Sequence, residues 1–479
     1  MADDVERALG RWQDRQGSLT VRLTDALRDA VTNGSMSPGR KLPAERALSG
    51  TLRVSRSTVV GAYDQLRSEG WLESRQGSGT FVSTVAAADR GEVFRANAIF
   101  ARMIAAAGPL IDLSLASPAA DPAVLEAARA AARELEPFTT SPGYFPAGLP
   151  ALRQEIARYL ESWGLPAVAE EILVTTGGQQ ALALVAAEFL RPGEPALVES
   201  PTFPGALDAL RAAGARLVSV PVGDRGVAPR AVRQLLARTQ ARLVYVTPTF
   251  NNPTGAVVPA EERLRLARLS GEFQVPLIED HALADLSYGD QPPPPLGAHP
   301  VGGTILTVGS LSKLFWGGLR VGWVRAPRHV ITRLAQRKVV ADIASPVIDQ
   351  LAAVRLLPRV EEVRARRRAE LRARRDLLAE VLTELVPDWS WRLPDGGVCL
   401  WAKLPRGDAR DFARVALSHG VALVTGPQFA PGEAWVDHIR VPFTTATDHL
   451  QEGLRRMAGA WAEFLPRTGF AAAQQRAVV

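Results

Sequence analysis

A small module of three helices and a hairpin, followed by a large α/β domain and a smaller α+β subdomain, is the architecture the sequence predicts. Three observations carry that prediction. The chain has 479 residues, too many for a single hydrophobic core and enough for roughly two to four domains. Helical periodicity over the first 84 residues ends in hairpin chemistry. Beyond residue 110, short apolar runs alternate with helical patterns, as they do where a parallel sheet is covered by helices.

The elements follow in order. Leu19, Leu23, Leu27, Ala30 and Val31 recur at helical spacing, and the pattern stops at Asn33-Gly34, a common helix ending. A second short helix follows Pro43, with Ala44, Ala47 and Leu48 on one side. A third starts at Ser55, carries Val59, Ala62, Tyr63 and Leu66 on one face, and ends at Gly70. Leu72-Glu73-Ser74 and Thr80-Phe81-Val82 flank Gln76-Gly77-Ser78-Gly79, which reads as a hairpin. Together these make a winged helix-turn-helix over residues 1–84. The Ala-rich stretch 85–109 reads as a linker. The apolar runs Ile172 to Val174, Ala196 to Val198, Leu217 to Val220, Leu243 to Val246, Val275 to Ile278 and Ile305 to Val308 predict a mostly parallel sheet. After about residue 330 the pattern is mainly helical, with strands near Val398 to Ala402 and His438 to Val441, a smaller α+β subdomain. Gln291 to Leu296 is a loop; the large domain spans 110–466, and 467–479 reads as a flexible tail.

Composition narrows the function classes. Apolar residues make up 47% of the chain and charged residues 22%, with a net charge of +6, ordinary for a folded protein. One cysteine, Cys399, excludes a disulfide framework and a cysteine-rich zinc site and fits a reducing cytoplasm. The six histidines show no HxxxH or HxH spacing, so no metal site is expected. The opening residues are acidic and polar rather than signal-like, and the most apolar helical stretch, Ala181 to Leu190, is too short for a bilayer and contains Glu188. The expectation is a cytoplasmic protein without a membrane partner.

Local charge points to nucleic acid. Between Arg40 and Val60 stand five basic residues (Arg40, Lys41, Arg46, Arg53, Arg56) and one acidic residue, Glu45. A helix beginning Ser55-Arg56-Ser57-Thr58 presents a guanidinium and hydroxyls at its N-terminal end, where side chains reach base edges and the helix end attracts phosphate. Arg56 has the fork that matches guanine O6 and N7, and Arg46 on the preceding helix is placed for a phosphate. Arg75 and the Gly77 tip of the hairpin would lie near the adjacent backbone or minor groove. Charge alone is equally compatible with solvated residues on an ordinary three-helix module.

The large domain carries a second constellation. Lys313, in Ser310-Leu311-Ser312-Lys313, follows an apolar strand, and Arg320 comes seven residues later. An amine near hydroxyls and an arginine suits an imine to an aldehyde that bears a phosphate. Asp280 closes another strand, where open α/β sheets place ligand groups, and a carboxylate there keeps a pyridine nitrogen protonated. Gly178 and Gln179 open a helix after a strand, exposing backbone N–H groups to phosphate. Asn252 sits in the turn Asn252-Pro253-Thr254-Gly255, able to donate to a phenolic oxygen; Phe203 can stack on an aromatic ring; Arg440 can clamp a carboxylate bidentately. Each has a plain structural reading when taken singly: a surface lysine, a strand-end turn, a Gly-Gly turn, a core phenylalanine. The crowded arginines Arg364, Arg366, Arg367, Arg368, Arg372, Arg374 and Arg375, interleaved with acids, read as a solvated, salt-bridged helix face, with a supplementary DNA contact as the alternative.

The run Leu42 to Val82 resembles the winged helix-turn-helix of the GntR regulators, over about Leu19 to Thr84. The resemblance implies that Arg46, Arg56, Ser57 and Thr58 contact operator DNA, with Ser55 opening the helix, Arg75 on the wing and Gly77 at its tip. Ala44 stands where the family usually has a serine cap, and Val60 where some members carry another arginine. Residues 110 to 465 resemble the fold-type I, pyridoxal 5'-phosphate-dependent aminotransferases. That resemblance implies Lys313 as the Schiff-base lysine, Asp280 as partner of the pyridine nitrogen, Asn252 at the ring hydroxyl and Phe203 over the ring. Gly178, Gln179, Ser310, Ser312 and Arg320 would surround the phosphate, and Arg440 would hold an α-carboxylate. Tyr144 matches a tyrosine that reaches the phosphate of a neighbouring subunit, which implies a homodimer. Many relatives place a tyrosine two or three residues after the aspartate; here the run is Asp280-His281-Ala282-Leu283, and His281 either compensates or points to solvent.

The fusion is similar to the MocR subfamily of GntR regulators. It implies a transcription regulator that senses pyridoxal phosphate, or an amino compound through its aldimine. The alternatives are a working aminotransferase with an accessory DNA module, and a DNA-binding protein whose large domain is only a dimerisation scaffold.

Overall fold

The computed structural model describes residues 12–14, 17–32, 40–68, 71–75, 79–82 and 110–476, with Val5, Leu9 and Met36. The chain divides into two compact units, Met1–Ala101 and Arg102–Val479.

In the first unit, α1 (Leu19–Thr32), α2 (Glu45–Leu52) and α3 (Arg56–Ser68) precede the antiparallel hairpin of β1 (Leu72–Arg75) and β2 (Gly79–Val82). The core joins Leu23, Leu27 and Ala30 of α1 to Val59, Ala62, Tyr63 and Leu66 of α3, closed by Leu72 and Val82. The buried face of α2 is Leu48 and Leu52, and Ala47 is exposed, so the face expected from Ala44, Ala47 and Leu48 is corrected. Leucine burial outweighs that of a small alanine, which sets the helix rotation. Val5, Leu9 and Trp12 belong to this core too, although the opening sequence reads as polar. Ala44 precedes α2 without a side-chain cap, whereas Ser55 caps α3 by accepting from the Thr58 amide at 3.1 Å. Gly77 and the segment 85–109 lie outside the described residues.

In the second unit, β3 (Ile111–Asp112) leads into α4 (Pro122–Arg133) and α5 (Pro150–Ser162). Then come β4 (Ile172–Thr175), α6 (Gly178–Phe189), β5 (Pro195–Ser200), α7 (Pro204–Ala212), β6 (Arg216–Gly223), β7 (Gly226–Val227), α8 (Pro229–Thr239) and β8 (Leu243–Val246). The domain continues with α9 (Ala260–Phe273), β9 (Leu277–Asp280), β10 (Ile305–Ser310), β11 (Gly322–Arg325), α10 (Arg328–Asp342), α11 (Val347–Leu356) and α12 (Val360–Leu385). These strands form an eight-stranded sheet in the order β4-β11-β10-β9-β8-β5-β6-β7. The pairings β10–β9, β9–β8, β8–β5 and β5–β6 are parallel and take in five of the six apolar runs of the sequence; the sixth, Ile172 to Val174, lies in β4, which among the described residues pairs only with antiparallel β11. β11 is antiparallel to both neighbours and escapes the apolar-run reading, because Gly322-Trp323-Val324-Arg325 is short and mixed.

The smaller subdomain holds β12 (Ser390–Trp391), β13 (Cys399–Lys403), α13 (Ala409–Ser418), β14 (Val421–Ala422), β15 (Val424–Thr425), β16 (His438–Pro442) and α14 (Thr447–Arg476). Its four-stranded sheet has the order β12-β13-β16-β15, and β14 pairs with β3. α14 runs to Arg476, into the segment read as a flexible tail; Phe470 to Arg476 is rich in alanine and glutamine, both good helix formers.

α12 corrects the expectation of a solvated arginine face. Arg367 and Arg375 are buried. Arg367 donates to the carbonyls of Leu314 (2.9 Å), Phe315 (3.1 Å) and Ala119, and Arg375 to that of Pro394 at 2.7 Å. Arg364 pairs with Asp285 at 2.6 Å and Arg366 with Asp121 at 2.8 Å. A planar fork of donors satisfies several backbone carbonyls at once, so these guanidinia serve as internal clasps. Arg366, exposed and paired with Glu362 as well as Asp121, keeps to the solvated, salt-bridged reading, and Arg372 is exposed with no ion pair among the described residues.

Candidate cofactor site and nucleic-acid face

In the first unit, Arg46, Ser55, Arg56 and Ser57 are exposed, while Thr58 is buried. The Ser55 hydroxyl lies 2.8 Å from that of Ser57 and 2.7 Å from that of Thr58, so Ser55 and Thr58 organise the start of α3. Arg56 projects beside it, 3.5 Å from Glu45, an exposed pair too weak to immobilise the fork. The exposed helix end thus offers a guanidinium and a hydroxyl. The β1 backbone ends at Arg75.

In the second unit, the carboxyl ends of the parallel strands gather the other constellation. Asp280 ends β9 and is 8% exposed. Its Oδ1 accepts from the Ala282 amide at 3.0 Å and its Oδ2 from the Tyr245 hydroxyl at 2.8 Å. Burial raises its pKa, against those two hydrogen bonds and the Lys313 charge. Lys313 follows β10 and donates to the Ala116 carbonyl at 2.9 Å. Burial, then the Arg440 charge, pushes its amine down to about 8. A fraction of the amine is then unprotonated, and nucleophilic, near neutrality.

Arg440, on β16, is buried. It donates to Asn252 Oδ1 at 3.3 Å and to the Ser114 carbonyl, stacks over Phe429 at 5.1 Å, and keeps a buried Nε without a partner among the described residues. Burial lowers its pKa. Cys399 lies 3.9 Å from Asn252 Oδ1, its thiol pushed up to about 11 by burial and therefore neutral.

At the far end, Gly177 has φ +96° and precedes α6, whose first residue is Gly178. A Cβ at Gly177 would meet Arg320 Nη2 at 2.8 Å, and one at Gly322 the Gly177 carbonyl carbon at 2.6 Å, so only glycine fits this turn. Arg320 donates to the Thr176 carbonyl at 2.5 Å. The Ser310 and Ser312 hydroxyls are 2.8 Å apart, and Ser310 faces Gly178. Gln179 donates to the Gly205 carbonyl at 2.7 Å, next to the ring of Phe203. Lys313, Asp280, Asn252 and Arg440 thus form one group, and Gly178, Ser310, Ser312 and Arg320 another. Tyr144 stands apart, 66% exposed and without a hydrogen bond among the described residues.

Sequence reasoning gave His281 two options, and neither holds. His281 is buried edge-on against Trp163 at 4.9 Å, with neither ring nitrogen hydrogen-bonded among the described residues. Burial pushes it down to about 3, so the ring is neutral. Alternation along the strand explains this, since neighbours of Asp280 face the opposite side. Sequence reasoning missed Tyr245, inside the apolar run Leu243 to Val246, and Glu199, just beyond the run Ala196 to Val198; a polar group at the carboxyl end of a parallel strand was the available signal. Among the described residues no His, Cys, Asp and Glu group could hold a metal ion, and no helix is long and apolar enough to cross a membrane.

Comparison with known proteins agrees with this division. Residues 19–82 match the family described as bacterial regulatory proteins, gntR family, and residues 110–457 match aminotransferase class I and II. The chain is 33% identical to the HTH-type transcriptional regulator YisV of Bacillus subtilis (strain 168), over 82% of this chain and 86% of that protein. It is 32% identical to the HTH-type pyridoxine biosynthesis transcriptional regulator PdxR of Corynebacterium glutamicum, over 80% and 82%. Among solved structures it resembles LysN, an α-aminoadipate aminotransferase of Thermus thermophilus complexed with N-(5'-phosphopyridoxyl)-L-leucine. The TM-score is 0.71 at 31% identity, covering 78% of this chain and 97% of that one. A gntR-type DNA-binding module joined to a class I and II aminotransferase domain, whose cofactor is pyridoxal 5'-phosphate, places this chain in the MocR subfamily of GntR transcription regulators.

Proposed function

We propose that the protein is a homodimeric cytoplasmic regulator whose operator affinity responds to pyridoxal phosphate, or to an amino compound captured on it at Lys313. The observation that carries this reading is a partly neutral lysine amine and a buried carboxylate at adjoining strand ends, with a glycine turn and Arg320 nearby. The residues fit the cofactor. Asp280 would meet the ring nitrogen, Asn252 the ring hydroxyl, Phe203 the ring face, and Gly178, Gln179, Ser310, Ser312 and Arg320 the phosphate. Bound there, pyridoxal phosphate supplies an aldehyde that takes up an amine and a ring that draws electrons. Arg440, with its unpartnered buried Nε, would grip an effector carboxylate. Exposed Tyr144 supports a subunit-spanning site, since a phenol with no hydrogen bond among the described residues is free to reach another subunit. Arg46, Arg56 and Ser57 would face operator DNA, with Arg75 and Gly77 on the wing; Ser55 and Thr58 would shape the helix start.

An effector changes operator affinity only by its differential affinity for two arrangements of the protein. Borohydride treatment of the cofactor-loaded protein should fix the cofactor to residue 313. Lys313→Ala should abolish that fixation and blunt the effector response in a DNA-binding assay, while operator binding without effector persists. Fixation elsewhere refutes the sensor reading. A second reading, an active aminotransferase, is favoured by the intact Asp280, Lys313 and Arg440. Incubation with amino acids and 2-oxoglutarate decides it, because multiple turnovers would mark an enzyme.

A further inference from the structure

Three buried polar side chains stand behind Asp280 and have no part in the reading above. They lie at the carboxyl ends of β5 and β8, the strands next in order after β9. Tyr245 donates to Asp280 Oδ2 at 2.8 Å, and the Thr247 hydroxyl donates to the Tyr245 oxygen at 3.3 Å. The Thr247 amide donates to Glu199 Oε2 at 2.9 Å, and Asn251 Nδ2 donates to the same oxygen at 2.8 Å. Glu199 is 0% exposed, and its second oxygen has no hydrogen-bond partner among the described residues. A continuous polar chain thus runs from Glu199 to the carboxylate that would face the ring nitrogen.

Two buried carboxylates in one chain cannot both ionise cheaply. Asp280 has an amide donor, a phenol donor and the Lys313 charge in its favour. Glu199 has amide donors, no facing cation, and the Asp280 charge against it. The proton therefore resides on Glu199, and burial, reinforced by Asp280, pushes it up to about 7. The other titratable or charged groups around the chain are Tyr245 and Lys313, with Arg440, Cys399 and Arg320 beyond Lys313.

We propose that Tyr245 and Glu199, linked through Thr247, are positioning residues for the ring-nitrogen end of the cofactor. Tyr245 holds Asp280 oriented and ionised. Glu199 gains or loses one proton behind it and so biases how firmly the site retains positive charge at the ring. The sign follows from Coulomb's law. As pH rises through neutrality, Glu199 becomes negative and favours retention of that charge.

This rests on the cofactor reading, and the experiment separates the two. Full-length protein loaded with pyridoxal phosphate is titrated with pH while cofactor absorbance is recorded, for wild type, Glu199→Gln and Tyr245→Phe. Affinity of each apo-protein for pyridoxal phosphate is measured alongside. The wild type should show a pH-dependent inflection in cofactor absorbance that Glu199→Gln displaces, because the glutamine removes a charge that forms behind Asp280 as pH rises. Tyr245→Phe should displace the inflection and weaken cofactor binding by about tenfold or more, through loss of a hydrogen bond to a buried charge. Because Tyr245→Phe leaves the Glu199 partners in place, it carries the test even if the glutamine variant fails to fold. A Glu199→Gln profile that superimposes on wild type overturns the inference, as does a Tyr245→Phe protein with wild-type affinity and profile. A wild type that acquires no borohydride-fixable cofactor overturns the cofactor reading along with it.

Discussion

Arg56 and His281 show how much a single side chain depends on its surroundings. The Arg56 guanidinium projects from the exposed start of α3 with only a loose 3.5 Å contact to Glu45, so its fork is available to a base. Arg56→Ala should weaken specific operator binding by about 1–3 kcal/mol and relax sequence preference at one position, read by competition binding on variant operators. An unaltered footprint removes that role. His281 contributes in the opposite way, as a neutral ring held in apolar packing. Its folded pKa, about 3, lies below the unfolded value of about 6.5. The unfolded chain therefore takes up a proton first as pH falls. The stability His281 contributes is present above about pH 6.5 and is lost progressively towards about pH 3. His281→Phe, which keeps the ring against Trp163, should lose less melting temperature across that window than wild type. Equal losses would show that other groups control acid unfolding.

At the scale of elements, α12 is the clearest test. Arg367 donates to three backbone carbonyls from a buried position, so Arg367→Ala takes that donor from Leu314 and Ala119, while the Phe315 carbonyl keeps the Asp121 amide at 3.0 Å. At about 1–3 kcal/mol for each of those two groups, the loss should reach about 2 kcal/mol or more in chemical denaturation. Arg372→Ala, on the exposed side, should change neither stability nor the salt dependence of DNA binding. Sequence alone groups the two residues as one charged run. Helical periodicity separates them only once the neighbours of the helix are known. β11 was hidden for a related reason. Its Trp323 packs over Gly309 of the adjacent strand, an intimate fit between residues that no local pattern announces.

The whole molecule adds a prediction about association. Val340 is 90% exposed, and Val339, Ile343, Ile348 and Tyr144 are exposed apolar or aromatic side chains of the same unit. Such exposure suits the subunit face of the proposed homodimer. Val340→Glu should shift the sedimenting species from dimer towards monomer and weaken pyridoxal phosphate binding, because Tyr144 would no longer reach a neighbouring phosphate. A dimer of unchanged mass and cofactor affinity would take Val340 out of the interface.

The sequence by itself determined the order of the two modules, the parallel strands and the identity of the residues at the strand ends, because periodicity, turn chemistry and strand-end polar groups are local properties of the chain. Asp280 and Lys313 were legible that way, each just beyond an apolar run. Only the tertiary structure decided which charges are inside, that His281 turns away from Asp280, and that Glu199 and Tyr245 connect to it across neighbouring strands. Desolvation is the physical reason. The energy of a polar group depends on what surrounds it in three dimensions, and residues far apart in sequence supply those surroundings.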